Sequence, residues 1–457
     1  ALLAKPVFFL GARARPPPAG ARRRPGPPAS AGPALAEGPM GTYLSQPITR
    51  KESQSGTGSS QTWACCSMQG WRTNMEDAHI AISDLGAEHG GLSLFGVFDG
   101  HGGREVALFC QKRFPDEIRR QLQSLRGSSQ ASDKPGGTLG EALRNGFHTM
   151  DDLLISPDHE RELLLLKQGK TIGSSSSSSP AGPSGSPSGS ADADPDASSE
   201  EEADERRGRE GPEAKDKGPL TREEATQAMM KMALMRRRQD EAAPGSATAH
   251  VADSVGCTAV CVLMSQAEVI CANAGDSRAI MCRAGKPVEL SHDHKPNDET
   301  ERRRIEAAGG RVEEIRVGPR VHHRVNGNLN LSRAIGDMEY KKRPELGPER
   351  QMICSTPDLI AVPLTQEDEF ILLACDGIWD VKSNQEVCDF VGARLKRGEA
   401  ITVIAEALLD DCIAVDPKQT HGIGGDNMTV VIVQLGRPGH GGEGAGGCAR
   451  ASGGAGA

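Results

Sequence analysis

Apolar residues in this chain fall into short continuous runs and into runs with the spacing of an amphipathic helix. Residues 94–98 form one of the short runs and predict a buried strand. Helical spacing follows over residues 105–125 and again over 139–154. The second half of the chain continues this mixture, with strands predicted at residues 257–264, 269–272, 370–374 and 428–435, and helices at 302–308, 384–395 and 401–413.

The periodic pattern is interrupted between about residues 170 and 245. A run of six serines leads into mixed Pro, Gly and Ser, and then into acidic residues. Such a stretch cannot bury enough apolar surface to offset the entropy lost on ordering. We therefore predict one domain over residues 62–436 that is interrupted by a disordered acidic insert. A disordered leader and N-terminal arm (1–61) precede it, and a disordered Gly-rich tail (437–457) follows.

Three segments outside the periodic regions suggest attachment or targeting. Residues 221–238 predict a Met-rich helix that either docks a partner protein or packs against the domain or frays in solvent. Gly41 begins a pattern typical of N-myristoylation if Met40 is the initiator, and one acyl chain would give only weak membrane attachment. Residues 1–39 are either a disordered leader or an organelle transit peptide.

Net charge and cysteine usage narrow the class of protein. A net charge of −9 disfavours nucleic acid as a substrate, because nucleic-acid binding needs a basic surface. Several of the 12 cysteines lie inside apolar runs, and the Cys65-Cys66 pair has no partner pair at zinc-ligand spacing. We expect reduced thiols and an intracellular location, cytoplasmic or nuclear and not secreted.

Four aspartates stand beside predicted apolar strands, each next to a glycine: Asp99, Asp276, Asp376 and Asp426. One aspartate at a strand end is usually a turn residue. Four of them predict an oxygen-rich pocket if the strand ends converge, and carboxylates packed together repel unless cations neutralise them. Oxygen-only ligands suit Mg²⁺ or Mn²⁺ better than zinc, so the pattern favours a divalent-metal hydrolase.

Six short motifs together resemble the metal-dependent protein phosphatases (PPM, type 2C). In chain order they are GWRTNMEDAH at 70–79, FDGHGG at 98–103, GDSR at 275–278, LSRAIGD at 331–337, DGIWD at 376–380 and DNMT at 426–429. The resemblance spans about residues 62–435 apart from the insert. MGTYLSQP at residues 40–47, the acidic insert and residues 328–337 are most similar to the gamma branch of that family.

This resemblance implies a fold and a reaction. The fold class is α+β, a four-layer αββα sandwich of two antiparallel sheets flanked by helices, with the metals in a cleft at one end. The reaction is that of a protein serine/threonine phosphatase. It hydrolyses phosphoserine or phosphothreonine in phosphoprotein substrates by direct attack of a metal-bound hydroxide at a two-metal Mg²⁺ or Mn²⁺ site.

The resemblance also implies the metal ligands. Asp99 bridges both metals and counts among the catalytic residues. The backbone carbonyl of Gly100 and the carboxylate of Glu76 hold one metal. Asp376 and Asp426 hold the other.

Four further residues receive roles from the same resemblance. Arg72 holds the substrate phosphate, for which a planar guanidinium is well suited. His101 protonates the leaving alkoxide. Asp276 and Asp380 are ligands of a third, weaker metal. Two alternatives stay open: His101 only holds its turn, and Arg72 only forms a surface ion pair with a nearby carboxylate.

The sequence departs from the family pattern in two places. Cys257 stands where the family usually has serine or threonine. Residues 310–326 are longer than in the family and carry added basic residues: Arg316, Arg320, His322, His323 and Arg324. This basic loop either favours acidic phosphosubstrates or is an ordinary solvated loop.

Two other functions were weighed against a phosphatase. A non-catalytic scaffold would use the insert and the Met-rich helix to dock partners, but every core ligand is present. Another two-metal hydrolase, such as a nuclease, is disfavoured by the negative net charge and by the absence of a basic, aromatic-lined groove.

Overall fold

The computed structural model describes residues 36–37, 42–125, 136–169, 250–317 and 320–436. The acidic insert, the Met-rich helix, Gly41 and the Gly-rich tail lie outside the described residues. Within those ranges, no helix is long and apolar enough to cross a membrane.

Strands and helices come in groups along the chain. In chain order, the described strands are β1 (Ala36–Glu37), β2 (Thr42–Thr57), β3 (Gln61–Arg72), β4 (Ala78–Ile82), β5 (Ser93–Phe98), β6 (Gly100–His101), β7 (Gly256–Cys257), β8 (Ala259–Met264), β9 (Glu268–Ala274), β10 (Arg278–Arg283), β11 (Lys286–Glu289), β12 (Val312–Val317), β13 (Arg320–Val325), β14 (Ile335–Gly336), β15 (Asp358–Pro363), β16 (Asp368–Ala374) and β17 (Met428–Leu435). The described α-helices are α1 (Glu105–Leu125), α2 (Gly137–Leu154), α3 (Pro157–Lys167), α4 (Val251–Ser254), α5 (Glu299–Ala307), α6 (Asp376–Trp379), α7 (Asn384–Lys396) and α8 (Ile401–Cys412).

Most of these strands belong to two antiparallel sheets. One has seven strands in the order β1-β2-β3-β17-β16-β10-β11, and the other has five in the order β15-β9-β8-β5-β4. Three short strands pair in the order β14-β7-β6. Strands β12 and β13 form a hairpin where the sequence analysis predicted a basic loop.

Strand β16 shows why the central strands are apolar at nearly every position. Successive side chains of a strand point to opposite faces of its sheet. Phe370 and Leu372 pack in the cluster that includes residues of α7 and α8. Ile371 and Leu373 pack in the cluster formed by the facing surfaces of the two sheets. Because both faces are covered, a continuous apolar run results.

Helices cover the outer face of each sheet. On the five-stranded sheet, α1 and α2 contribute Phe109, Phe114 and Phe147 to the core. The rings of Phe114 and Phe147 meet edge to face, with their centroids 5.4 Å apart. On the seven-stranded sheet, α7 and α8 pack in the corresponding position. The layers therefore run helix, sheet, sheet, helix, which confirms the expected four-layer αββα architecture.

The seven-stranded sheet begins earlier in the chain than the sequence analysis placed it. Residues 42–57, assigned there to the leader and N-terminal arm, form β2 and pair with β3 as far as Thr57↔Thr62. Strand β2 is mostly half-buried or exposed and lies next to the two-residue edge strand β1. Because little of it is covered, it lacks the apolar pattern that marks a buried strand.

The strand predicted over residues 257–264 is interrupted at Thr258. Strand β7 pairs with β6 and β14, whereas β8 joins the five-stranded sheet. Between them, the backbone N–H of Thr258 donates to the carbonyl oxygen of Asp99 at 2.9 Å. The interruption therefore ties this part of the chain to the segment that carries Asp99.

A buried ionic network holds α5 against the chain that follows it. Glu301 is 2% exposed, and its carboxylate accepts hydrogen bonds from Arg304 and Arg333, each at 2.7 Å. Arg333 also donates to Asp358, the first residue of β15, at 2.7 Å. Burial alone would raise the pKa of Glu301, but Arg333 and Arg304 lower that pKa to about 2. The network contributes to stability wherever Glu301 is ionised.

Glu301→Gln is expected to lower the free energy of unfolding by about 3 kcal/mol at pH 7, because the half-buried Arg304 loses its charged partner and Arg333 keeps only Asp358. The folded-state pKa of Glu301 lies below its ordinary value of 4.5. The stabilising contribution is therefore fully present above about pH 4.5 and is lost as the pH falls toward 2. Urea unfolding of wild type and variant at several pH values measures this difference.

Arg303→Gln is the matched control, because Arg303 lies on the exposed side of the same helix and pairs with Glu299 there. It should change the free energy of unfolding by less than about 0.5 kcal/mol. A Glu301→Gln effect that stays constant between pH 7 and pH 3 would contradict the assignment.

Candidate metal centre

Carboxylates from both sheets meet where their strands end. Strands β5 and β9 are both antiparallel to β8 and therefore run in the same direction. Asp99 and Asp276, which follow these two strands, therefore lie at the same end of the sheet. Strands β16 and β17 are antiparallel to each other, so Asp376 after β16 lies on the same side as Asp426 before β17. The topology therefore gathers the strand-end aspartates in pairs, one pair from each sheet.

Electrostatic interactions show that the two pairs face each other. Burial raises the pKa of Asp99 well above its ordinary value, and four aspartates raise it further: Asp77, Asp376, Asp426 and Asp276. Burial also raises the pKa of Asp376, again followed by the effect of neighbouring aspartates. These carboxylates therefore disfavour one another's ionisation in the absence of added positive charge.

Two cationic side chains pair with this cluster. Lys295 Nζ lies 2.5 Å from an Asp276 oxygen, and Arg72 Nη2 lies 2.5 Å from Asp426 Oδ2. Burial alone would lower the pKa of Lys295, but Asp276 raises it, so the ammonium stays charged. Arg72 is thus ion-paired across the site. Asp380, at the exposed rim after α6, is also close enough to Lys295 for their charges to interact.

Gly100 allows a close backbone approach in the site. A Cβ at this position would lie 2.3 Å from the carbonyl oxygen of Glu76, so only glycine fits. Asn427 fixes the same segment, because its Oδ1 accepts from the Glu76 N–H at 2.9 Å. Its Nδ2 donates to the carbonyl oxygens of Gln69 and Asn74. Glu76 and Gly100 are therefore held together by backbone contacts.

His101 has a buried carboxylate partner. Its Nε2 lies 2.6 Å from Asp337 Oδ2, and Asp337 is 1% exposed. The backbone of Asp337 has a φ of 52°, a left-handed conformation that aspartate tolerates better than most residues. Burial alone would lower the pKa of His101, but Asp337 outweighs burial and raises it. Asp337 lies in the LSRAIGD motif, but no role was predicted for this residue from the motif alone.

Asp77 is a second residue of the site that the sequence analysis did not assign. It is 8% exposed, and neither of its carboxylate oxygens has a hydrogen bond of normal geometry among the described residues, although the side chains of Thr429 and Cys375 lie close enough to lower its pKa. Potential ligand atoms of Asp77, Asp99 and Cys375 lie within 4.8 Å of one another. Burial raises the pKa of Asp77 to about 7. The only signal in the sequence was the adjacent acid pair Glu76-Asp77.

The predicted site residues all lie in this region: Arg72, Glu76, Asp99, Gly100, His101, Asp276, Asp376, Asp380 and Asp426. Charged members of this set are among the causes of the pKa shifts of five others: Glu76, Asp99, His101, Asp376 and Asp380. The acids outnumber the two cations that pair with them, and the oxygens of Asp77 lack hydrogen bonds of normal geometry among the described residues. Such a set of oxygen donors fits Mg²⁺ or Mn²⁺. Cys375 is a poor ligand, because burial raises the pKa of its thiol well above the ordinary value.

Comparison with known proteins agrees with this geometry. Residues 62–177 and 198–420 match the family model described as Protein phosphatase 2C. The chain belongs to this family. Probable protein phosphatase 2C 11 of Oryza sativa subsp. japonica is 37% identical over 87% of this chain and 92% of that protein. Protein phosphatase 2C homolog 2 of Schizosaccharomyces pombe is 34% identical over 86% of this chain and 78% of that protein.

The fold of this protein phosphatase 2C is shared with a solved structure. A phosphatase from Toxoplasma gondii superposes with a TM-score of 0.51 at 19% sequence identity, over 85% of this chain and 96% of that one. The expectation of a protein phosphatase, which acts on phosphoproteins, is confirmed by the family. The similarity to the gamma branch stays a prediction.

Gly100→Ala in this protein phosphatase 2C is expected to lower turnover of a phosphothreonine peptide by at least about 100-fold. The added methyl group must displace the Glu76 backbone, and displacements of about 1 Å have effects of that size. Gly392→Ala is the matched control, because a Cβ there would meet only a Glu369 oxygen at 3.9 Å. Turnover and melting temperature are measured for both. Full activity in a folded Gly100→Ala would show that the close approach is not needed.

Proposed function

We propose that this chain is a metal-dependent protein serine/threonine phosphatase that hydrolyses phosphoserine and phosphothreonine at the carboxylate cluster. The observation that carries the proposal is the convergence of mutually repelling aspartates from both sheets. Phosphate-monoester hydrolysis requires acceleration of up to ~10²¹-fold, on the order of 28 kcal/mol. One hydrogen-bonding side chain supplies only about 3–4 kcal/mol. Divalent cations held by the cluster would lower the barrier by more than one side chain can.

Two ions, Mg²⁺ or Mn²⁺, suit this donor set. Asp99 would be a ligand of both ions. The carbonyl oxygen of Gly100 and the carboxylate of Glu76 would hold one, and Asp376 and Asp426 would hold the other. When bound, such ions lower the pKa of a coordinated water and stabilise negative charge on the phosphoryl oxygens.

Asp276 and Asp380 would form a third and weaker site. Lys295 already neutralises Asp276 at 2.5 Å, so a cation there competes with the ammonium group. Asp77 has two buried oxygens without hydrogen bonds of normal geometry among the described residues. It would orient water bound next to Asp99 by accepting its hydrogens.

Arg72 would hold the substrate phosphate. Its side chain is 48% exposed and reaches Asp426 at the edge of the cluster, so its guanidinium faces both the cluster and solvent. A planar fork of donors matches two phosphate oxygens at once. If Asp426 bound a metal, the guanidinium N–H groups that now pair with Asp426 would be free to bind the substrate phosphate.

His101 would donate the proton that the leaving serine or threonine oxygen needs. Its Nε2 is directed to Asp337, which leaves Nδ1 to carry the transferred proton. Asp337 acts as a positioning residue, because it orients the ring without touching the substrate.

The proposed reaction does not use a cysteine nucleophile. Every cysteine in the described part of the chain is buried. Burial raises the pKa of Cys65 and of Cys66 to about 11, so both thiols stay protonated at neutral pH. A thiol is a far weaker nucleophile than a thiolate.

Removal of divalent metal with EDTA is expected to abolish turnover of a phosphothreonine peptide, and Mn²⁺ or Mg²⁺ should restore it. Asp376→Asn should lower turnover by at least about 100-fold and weaken Mn²⁺ binding in calorimetry, because the cluster loses one negative ligand. Asp389→Asn is the control, since Asp389 is exposed on α7. Turnover that persists in EDTA would rule out the metal-dependent reaction.

Asp337→Asn is expected to slow hydrolysis of a phosphothreonine peptide at least about tenfold more than hydrolysis of p-nitrophenyl phosphate. An alkoxide needs a proton to leave, whereas nitrophenolate does not, so only the first substrate depends on a correctly oriented His101. Asp253→Asn, a partly exposed acid that pairs with Lys342, serves as the control. Equal losses on both substrates would assign Asp337 a purely structural role.

A further inference from the structure

The hairpin of β12 and β13 carries its basic residues on two different faces. Directly paired residues share a face of an antiparallel ladder, and alternate residues of a strand do as well. Arg320, His322 and Arg324 therefore share one face, which also carries Ile315 and Glu313, the residues paired with His322 and Arg324. Arg316 and His323 lie on the other face. We name the set Arg320, His322 and Arg324 the basic face.

The basic face lies beside the candidate metal centre. Burial lowers the pKa of His322, and the positive charges of Arg324 and Arg320 lower it further. Asp380 and Lys295 also act on His322, so the imidazole is near both. Burial raises the pKa of Asp380, while Lys295 and Arg320 act in the opposite direction. The hairpin is thus adjacent to Asp380 at the rim of the candidate metal centre.

Arg320 is available for a ligand, in contrast to Arg316 on the other strand of the hairpin. Among residues with described positions, none forms a hydrogen bond or ion pair with the Arg320 side chain. It is partly buried beside the rim. Arg316 is 65% exposed and pairs with Glu314 at 2.9 Å. The two arginines therefore differ in face, in surroundings and in partner.

We propose that the basic face is a docking surface for acidic residues that flank the phosphorylated serine or threonine of the substrate. This inference rests on the proposed phosphatase function and names the substrate class that the site prefers. The chain as a whole has a net charge of −9, so most of its surface repels an acidic peptide. Positive charge at the rim of the site would offset this repulsion where the phosphate enters.

The test compares two phosphothreonine peptides that differ only in their flanks, one with glutamates and one with lysines on both sides. We expect a higher kcat/KM for the acidic peptide. Arg320→Glu in the full chain should lower the ratio of kcat/KM on the acidic to the basic peptide by about five- to tenfold, because one attraction becomes a repulsion. Arg316→Glu, on the opposite face of the hairpin, should leave the ratio unchanged. The wild-type preference should also shrink at high salt, since exposed charges are screened.

Several outcomes would overturn the proposal. One is a wild-type enzyme that turns over both peptides with equal kcat/KM. A second is an Arg320→Glu effect that is equally large on p-nitrophenyl phosphate, which has no flanks. A third is an equal effect of Arg316→Glu. A fourth is inhibition by a peptide of the chain's own acidic residues 198–205, combined with equal kcat/KM on the acidic and basic substrates. That result would show that the basic face binds the insert and not the substrate. Absence of turnover on every substrate would be a failure of the proposed function itself.

Discussion

Repulsion between carboxylates at the end of the sandwich is the constraint on which the rest of this structure depends. Asp99 and Asp376 are both in surroundings that disfavour their charged forms. Flexible segments would move such groups apart. They stay together because each follows a strand whose two faces are packed, one against helices and one against the other sheet. Apolar packing of the four layers thus offsets the electrostatic cost of the cluster.

Polar contacts between distant parts of the chain then refine the geometry that the strands provide. Asn427 holds the backbone of Glu76 from the far end of the sequence. Asp337 orients His101 across the short β14-β7-β6 sheet. Lys295 neutralises Asp276. Each contact joins segments that are neighbours only after both sheets have formed, so the site and the fold are completed together.

The charge distribution around the centre is uneven. Carboxylates occupy the strand ends, whereas the hairpin of β12 and β13 places arginine and histidine beside the exposed Asp380. Positive charge next to a cation-binding pocket does not help the pocket to bind cations. It favours negatively charged groups that approach the pocket, and phosphate and acidic side chains are such groups.

The sequence by itself determined the buried strands, most of the helices and the aspartates at the strand ends. These features are local. A strand covered on both faces is continuously apolar, and adjacent Asp and Gly residues at its end can be recognised from a few consecutive residues. Helix α1 and strand β17 have the predicted limits. Only the tertiary structure decided that β2 belongs to the sheet, and that Asp77 and Asp337 belong to the site. Strand β2 lies at the poorly covered side of the sheet, so it lacks the apolar pattern of a buried strand. Asp77 and Asp337 differ from other acids in their burial and in their contacts with residues distant in sequence, and no local sequence pattern indicates either property.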